Sequence, residues 1–150
     1  MNYSIEEFDR AKTKVMNYIM YKKRTEYEVR NKFAKILEEN LLDDIIEYVK
    51  EAGYLSDTEY IERAVAEFQA LNNLSRKEIK YKLYSKGIEN GLIEDYFSEN
   101  SEELYEYELK SAKHIFTKKK STMEEEEIKN YLIKKGYTEE IIKEVIVKFD

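Results

Sequence analysis

The sequence lacks the residues on which several classes of protein depend. None of its 150 residues is cysteine or proline, four are glycine and one is histidine. The absence of cysteine excludes a disulfide framework and thiolate metal sites. Because proline is absent and glycine is scarce, while 39% of the residues are charged, the composition favours helices joined by tight turns.

Long apolar segments are absent as well. No run approaches the roughly 18 residues of a membrane-spanning helix. The opening stretch, MNYSIEEFDR, has neither the basic start nor the apolar core of a secretion signal. We therefore expect a cytoplasmic protein that does not associate with a membrane.

The charge balance limits the partners that the chain can bind. It carries 26 basic and 32 acidic side chains, for a net charge of −6. Proteins held on free duplex DNA by electrostatics usually have a strongly basic balance. The composition argues against that class, although it leaves room for local basic faces.

One stretch has all the signals of a short, complete helix. Ser75 and Glu78 have the spacing of a capping box, in which each side chain satisfies a backbone N–H at the start of the helix. Ile79 and Leu83 form an apolar stripe. Gly87 follows, where helices often end in a left-handed residue. The sequence therefore predicts a basic helix between Ser75 and Gly87.

The same pattern recurs at a period near 50 residues. Glu28, Glu78 and Glu127 each begin a triplet of glutamate, apolar and basic residues, with separations of 50 and 49 residues. The pair Lys86-Gly87 recurs as Lys135-Gly136, also 49 residues later. A fixed period of this length is the signature of a repeat protein.

Each copy is predicted to contain three amphipathic helices, so the fold class is all-α, with about nine helices in tandem three-helix repeats. We expect repeats over residues 1–55, 56–99 and 100–150, without a flexible linker, in an elongated, curved array. A capping side chain is expected to start each copy, at Ser4, Ser56 and Asn100. The predicted inward positions include Phe8, Ala11, Val15, Tyr18, Val29, Phe33, Ile36, Ile61, Ala64, Val65, Phe68, Leu71, Leu109, Ala112, Phe116, Ile141, Ile142, Val145 and Phe149.

No set of residues predicts an enzyme. His114 has no second histidine with which to complete a metal site. The carboxylate runs at Asp43-Asp44 and Glu124–Glu127 lack the spacing of a calcium loop, and we interpret them as favourable charges near helix N-termini. We therefore predict no catalytic, cofactor-binding or metal-binding residue.

The fourteen tyrosines suggest base stacking as an alternative role. Tyr81 and Tyr84, on the basic helix, are the best candidates for it. Tyrosine more often packs its ring in a core or at a helix boundary and leaves its hydroxyl in water. We favour that packing role for both residues.

Basic side chains are the remaining candidates for a binding surface. Arg30, Lys80 and Lys129 occupy equivalent repeat positions. Spaced positive charges on a curved body suit a long acidic partner or a nucleoprotein. Alternatively, pairs such as Glu28–Lys32 and Glu78–Lys82 only stabilise their helices, by about 0.2–0.5 kcal/mol each. The candidate partner-binding residues are Lys22, Lys23, Arg24, Arg30, Arg76, Lys80, Lys82, Lys86, Lys118, Lys119 and Lys129.

Three segments resemble the RecX family, whose members regulate the RecA recombinase. The segment 11–33 is similar to the opening helix, basic turn and Glu-Leu-Arg motif of the family. The segment 51–60, EAGYLSDTEY, is similar to its Gly-Tyr-Leu-Asp-Asp motif, and 74–88 to its basic helix ending in Lys-Gly-Ile. Val29 and Ser56 replace a leucine and an aspartate of these motifs, and Asn72-Asn73 replaces a glycine-rich entry.

The resemblance implies a regulator without enzymatic activity that acts in DNA recombination, DNA repair and the SOS response. It implies a monomer that binds in the groove of the RecA filament on single-stranded DNA and inhibits strand exchange and ATP hydrolysis. A weak direct contact with DNA is left open. Two other classes also stay open: a helix-turn-helix-like DNA-binding protein and a repeat scaffold for protein interactions.

Overall fold

The computed structural model describes residues 3–149, with side chains up to Val147, and these residues form nine α-helices and no strand. The predicted all-α fold class is therefore confirmed. Three helices follow one another in each successive third of the chain, and we call each set of three a unit. The helices are α1 (Ile5–Tyr21), α2 (Glu26–Phe33), α3 (Glu39–Glu51), α4 (Asp57–Leu71), α5 (Arg76–Ser85), α6 (Asn90–Glu99), α7 (Ser101–Lys119), α8 (Glu125–Lys135) and α9 (Glu139–Phe149).

Five helices begin at a serine or threonine whose hydroxyl accepts the backbone N–H three residues later. These bonds measure 3.1–3.3 Å. In α2 and α5 a glutamate completes the capping box by accepting the N–H of the capping residue. The five capping residues are Ser4, Thr25, Ser56, Ser75 and Thr138.

The first two helices of the third unit begin differently from the prediction. Asn100 does not cap α7 with its side chain, because its amide donates instead to the Tyr96 carbonyl at 2.9 Å. Helix α8 begins at Glu125 rather than near Thr122. The residue before it is Glu124, whose N–H donates to the Glu127 carboxylate at 3.3 Å. The residue that precedes α8 thus carries a carboxylate, whereas the residues that precede α2 and α5 carry a hydroxyl.

Buried apolar side chains form three clusters in chain order, one for each unit. Each fully buried valine, leucine or isoleucine stabilises the fold by about 1.5–3 kcal/mol. Helix α7 contributes to two of the clusters. Leu104 and Tyr107 lie in the second, whereas Leu109 and Ala112 lie in the third. The cores of the second and third units therefore share one continuous helix.

Two predicted core positions are exposed. Ile36 lies beyond the end of α2, which stops at Phe33, so the helical periodicity no longer places its side chain inward. Leu71 is the last residue of α4, where the chain turns at a left-handed Asn72. The side chain of Phe149 lies outside the described residues. The repeat boundaries at residues 55 and 99 stay a prediction.

Gly87 follows α5 in a conformation and an environment that both require glycine. Its φ is +78°, in the left-handed region that side chains disfavour. A Cβ at this position would also overlap the ring of Tyr27. Gly53 has a similar φ of +82°, but nothing lies within 4 Å of its own Cβ position. Substitutions at the two glycines can therefore be compared to separate the effect of the left-handed φ from that of the close contact with Tyr27.

We expect Gly87→Ala to lower the free energy of unfolding by about 2–4 kcal/mol, because it adds a steric overlap to the left-handed strain. Gly53→Ala should cost only about 1–2 kcal/mol. Gly91→Ala, inside α6 with open space around it, should be neutral or stabilise by about 0.5 kcal/mol. Urea unfolding followed by circular dichroism measures all three. Equal losses at Gly53 and Gly87 would contradict the contact with Tyr27.

Candidate partner-binding surface

Two equivalent joints fix each unit to the next. At the first joint, the Thr25 hydroxyl that caps α2 also donates to the carbonyl of Lys86, just past the end of α5, at 2.8 Å. At the second joint, the Ser75 hydroxyl donates to the carbonyl of Lys135, at the end of α8, at 2.6 Å. Both hydroxyls belong to fully buried residues. Each one therefore starts its own helix and binds the next unit.

Ion pairs cross both joints. The Glu28 carboxylate lies 3.9 Å from the Lys86 ammonium, and the Glu78 carboxylate lies 3.1 Å from that of Lys135. The intrahelical pairs expected between these glutamates and Lys32 or Lys82 are absent among the described residues. The glutamates that complete the capping boxes are instead oriented towards the following unit.

The joints bring α8, α5 and α2 together end to end with the same polarity. The N-terminus of α2 meets the C-terminal end of α5, and the N-terminus of α5 meets that of α8. Unpaired backbone groups at one helix end thereby find partners at the next. The positive end of one helix dipole also faces the negative end of another, which is favourable.

An acidic side chain supports the first joint from α4. The Asp57 carboxylate accepts the N–H of Glu26 at 2.9 Å, and burial raises the pKa of Asp57. Burial would also raise the pKa of Glu26, but hydrogen bonds from Lys50 and Arg30, at 2.8 and 3.1 Å, lower it overall. Because the pKa of Glu26 is lowered on folding, its stabilisation is present at neutral pH and is lost on acidification.

A buried ion pair supports the second joint. Arg76, which occupies the position equivalent to Glu26, donates to the fully buried carboxylate of Glu108. The other oxygen of Glu108 accepts the N–H of Thr138 at 3.4 Å. Removing one partner of a buried pair leaves a charge without compensation and costs about 3–5 kcal/mol. Arg76 therefore helps to hold the second and third units together.

Six of the eleven predicted partner-binding cations contact other groups of the chain. Arg30 bonds to Asp43 at 2.6 Å, and the equivalent Lys80 bonds to Glu94 at 3.1 Å, so each ties the second helix of its unit to the third. Arg24 and Lys119 lie over the rings of Tyr18 and Tyr131, at 3.9 and 4.3 Å. Arg76 and Lys86 belong to the joints, as described above.

The other five cations have no ion pair or ring contact among the described residues. Four of them are exposed and Lys129 is half-buried. They belong to three different units. The five are Lys22, Lys23, Lys82, Lys118 and Lys129.

Tyr81 and Tyr84 are exposed, so the prediction that they pack in a core or at a helix boundary is wrong. Ile79 and Leu83 fill the inward positions of α5, which turns both tyrosines to the other side. His114 is also exposed. Within residues 3–147 no group of three acidic or histidine side chains is placed to hold a metal.

Two clefts lie beside the joints, with volumes of about 710 and 520 Å³. Arg30 and Lys50 line the first, and Arg76 and Lys80 line the second. Each of these cations already pairs with a carboxylate of the chain. Lys77 also lines the second cleft and has no ion pair among the described residues, so the second cleft offers one unpaired cation and the first offers none. In the part of the chain that is described, no helix is long and apolar enough to cross a bilayer.

Comparison with known proteins places these features in a family. The chain matches no protein-family model. The regulatory protein RecX of Finegoldia magna is 31% identical over 153 residues, which cover 95% of this chain and 73% of that protein. This chain belongs to the RecX family. RecX of Clostridioides difficile is 25% identical, over 95% of this chain and 69% of its own length. RecX of Staphylococcus carnosus is 29% identical, over 90% and 52%.

Solved RecX structures have the same fold. The crystal structure of RecX from Lactobacillus salivarius matches with a TM-score of 0.80 at 23% identity, over 97% of both chains. A second RecX crystal structure matches with a TM-score of 0.77 at 20% identity, over 92% of this chain and 72% of that one. The arrangement of nine helices is therefore a RecX fold.

We expect Thr25→Val and Ser75→Ala each to lower the free energy of unfolding by about 2–4 kcal/mol. Each change removes a helix cap and also leaves a carbonyl of the next unit without its donor. Ser56→Ala is the matched control, because Ser56 caps α4 without a bond to another unit, and its loss should cost about 1 kcal/mol. Thr25→Ser should be close to neutral. A Ser75→Ala cost no larger than that of Ser56→Ala would contradict the proposed role of the joint.

Proposed function

We propose that this RecX-family chain regulates the RecA recombinase. It binds in the groove of the RecA filament on single-stranded DNA and inhibits recombination and ATP hydrolysis, and it catalyses no reaction itself. The observation that carries the proposal is the similarity to the regulatory protein RecX along 95% of the chain.

The joints support binding to a repeating partner. A filament offers equivalent subunits at fixed intervals, and a protein that bridges them needs contact points at matching intervals. Buried hydroxyl–carbonyl bonds keep the units of this chain in a fixed relation. Such preorganisation lowers the entropic cost of binding, because little of the array must be ordered in the complex.

We assign the electrostatic contribution to the five cations that are not engaged within the described residues. Exposed positive charges speed association with an acidic partner and make it sensitive to salt. Arg76 is left out of this set, because it compensates the buried charge of Glu108. The assigned residues are Lys22, Lys23, Lys82, Lys118 and Lys129.

A helix-turn-helix mode of DNA binding is less well supported. Such proteins place the N-terminal residues of a recognition helix in the major groove. In α2 and α5 those residues lie at the joints. Helix α8 follows Glu124 and starts with three further glutamates, which would repel phosphate. None of the three second helices therefore presents a suitable end to DNA.

The proposal is tested by the single-stranded-DNA-dependent ATPase activity of the cognate RecA. We expect this chain to suppress ATP hydrolysis when it is added at amounts stoichiometric with RecA, because it bridges filament subunits. Titration of free duplex DNA should give weak binding, since the net charge is −6. Unchanged ATP hydrolysis at equal concentrations would contradict the proposal, and tight, salt-sensitive duplex binding would favour the alternative.

The same assay tests the assigned cations. The double variant Lys22→Glu with Lys82→Glu should require about two- to tenfold more protein for half-inhibition. Lys14→Glu with Lys35→Glu is the matched control, because both lysines are exposed and lie outside the set. Equal inhibition by the two double variants would remove the cations from the contact.

A further inference from the structure

Nine exposed positions form one row along the three helices that meet end to end. Each helix contributes three positions, spaced four and then three residues apart, which places them on one side of a helix. The positions are equivalent under the repeat period, and all nine are exposed. The row consists of Glu126, Asn130 and Ile133 of α8, Lys77, Tyr81 and Tyr84 of α5, and Tyr27, Asn31 and Ala34 on or just after α2.

Contacts at the joints link the three helical segments of this row. Tyr27 lies against Gly87, whose N–H bonds to the carbonyl of Tyr84 at 2.9 Å. In the same way Lys77 lies against Gly136, whose N–H bonds to the carbonyl of Ile133 at 3.0 Å. Tyr27 and Lys77 therefore lie next to the C-terminal ends of α5 and α8, where one helical segment of the row meets the next. The three helices together are about 44 Å long at 1.5 Å per residue.

The row contains little charge and three exposed aromatic rings. Of its nine residues only Glu126 and Lys77 are charged, in a chain in which 39% of residues are charged. Tyr27, Tyr81 and Tyr84 are 51%, 71% and 62% exposed, and none of them has a hydrogen bond or ring contact in the described part of the chain. Tyrosine enrichment with charge depletion is characteristic of the centre of protein–protein interfaces.

We propose that this tyrosine row docks on a protein surface that repeats along the RecA filament. That surface is uncharged and consists of apolar and amide side chains. The inference rests on the proposed function and names the face that carries it. Charge complementarity separates this partner from nucleic acid. A phosphate backbone would need repeated cations along the row, which has only Lys77. Lys82, next to Tyr81 in sequence, fits the polar rim of such an interface.

The test is the affinity of this chain, carrying a fluorescent label, for RecA filaments on single-stranded DNA, measured by anisotropy. We expect Tyr81→Ser with Tyr84→Ser to weaken binding at least about tenfold, because two exposed rings leave the interface. Phe at both positions keeps the rings and should bind within about threefold of the wild type. The matched control is Tyr21→Ser with Tyr54→Ser, two exposed tyrosines outside the row, which should bind unchanged.

The outcomes separate the row from the proposed function. If the variant Tyr81→Ser with Tyr84→Ser binds the filament as tightly as the wild type, the proposed role of the row is wrong and the regulatory function is unaffected. Failure of the wild-type chain to bind the filament would overturn the function and the row together. A fluorescent oligothymidine without RecA is the third arm. If the serine variant loses affinity for that DNA to the same extent as for the filament, the row binds nucleic acid and the proposal is wrong.

Discussion

One buried hydroxyl at each joint determines how neighbouring units of this chain are placed. Thr25 and Ser75 each accept an N–H of their own helix and donate to a carbonyl at the end of the next unit's second helix. A single oxygen thus satisfies two helix ends, and losing it leaves both short of a partner. Gly87 and Gly136 lie at the same joints, where a side chain would collide with the neighbouring helix. The end-to-end alignment of α8, α5 and α2 depends on this geometry.

The joints also determine which surface is left for a partner. In a chain rich in charge, many cations are used to hold units and helices together, as Arg76 and Arg30 are. The acidic side chains near the joints, such as Glu78, are occupied in the same way. The side of α5 that faces away from its core is therefore left to Tyr81 and Tyr84, with Lys82 beside them. Structural use of charge thus leaves a row dominated by tyrosine and amide side chains, which is the surface that we propose for partner binding.

Local signals in the sequence predicted much of the fold, whereas contacts between residues far apart in the sequence could not be predicted from it. The caps at Thr25 and Ser75 and the apolar stripes depend on residues within about one helical turn, so spacing alone identified them. The family resemblance, carried by short motifs, is confirmed by the comparison with RecX proteins. The pairing of Arg76 with Glu108 could not be predicted, because it depends on which unit lies against which. The recurrence of Lys86-Gly87 as Lys135-Gly136 indicated that these two positions are equivalent. Their bonds to the capping hydroxyls became apparent only from the structure.

If the joints govern regulation, a change confined to one joint must alter inhibition while the contact surfaces stay intact. Thr25 is fully buried and cannot touch a partner, so it allows this comparison. The most direct measurement is the inhibition of RecA ATPase by Thr25→Val, at a temperature at which circular dichroism shows it fully helical, with Thr25→Ser as control. We expect half-inhibition by the valine variant to require at least about threefold more protein, because units that are held less rigidly lose more conformational entropy on binding. Inhibition as strong as that of the wild type would contradict the dependence of regulation on the joints.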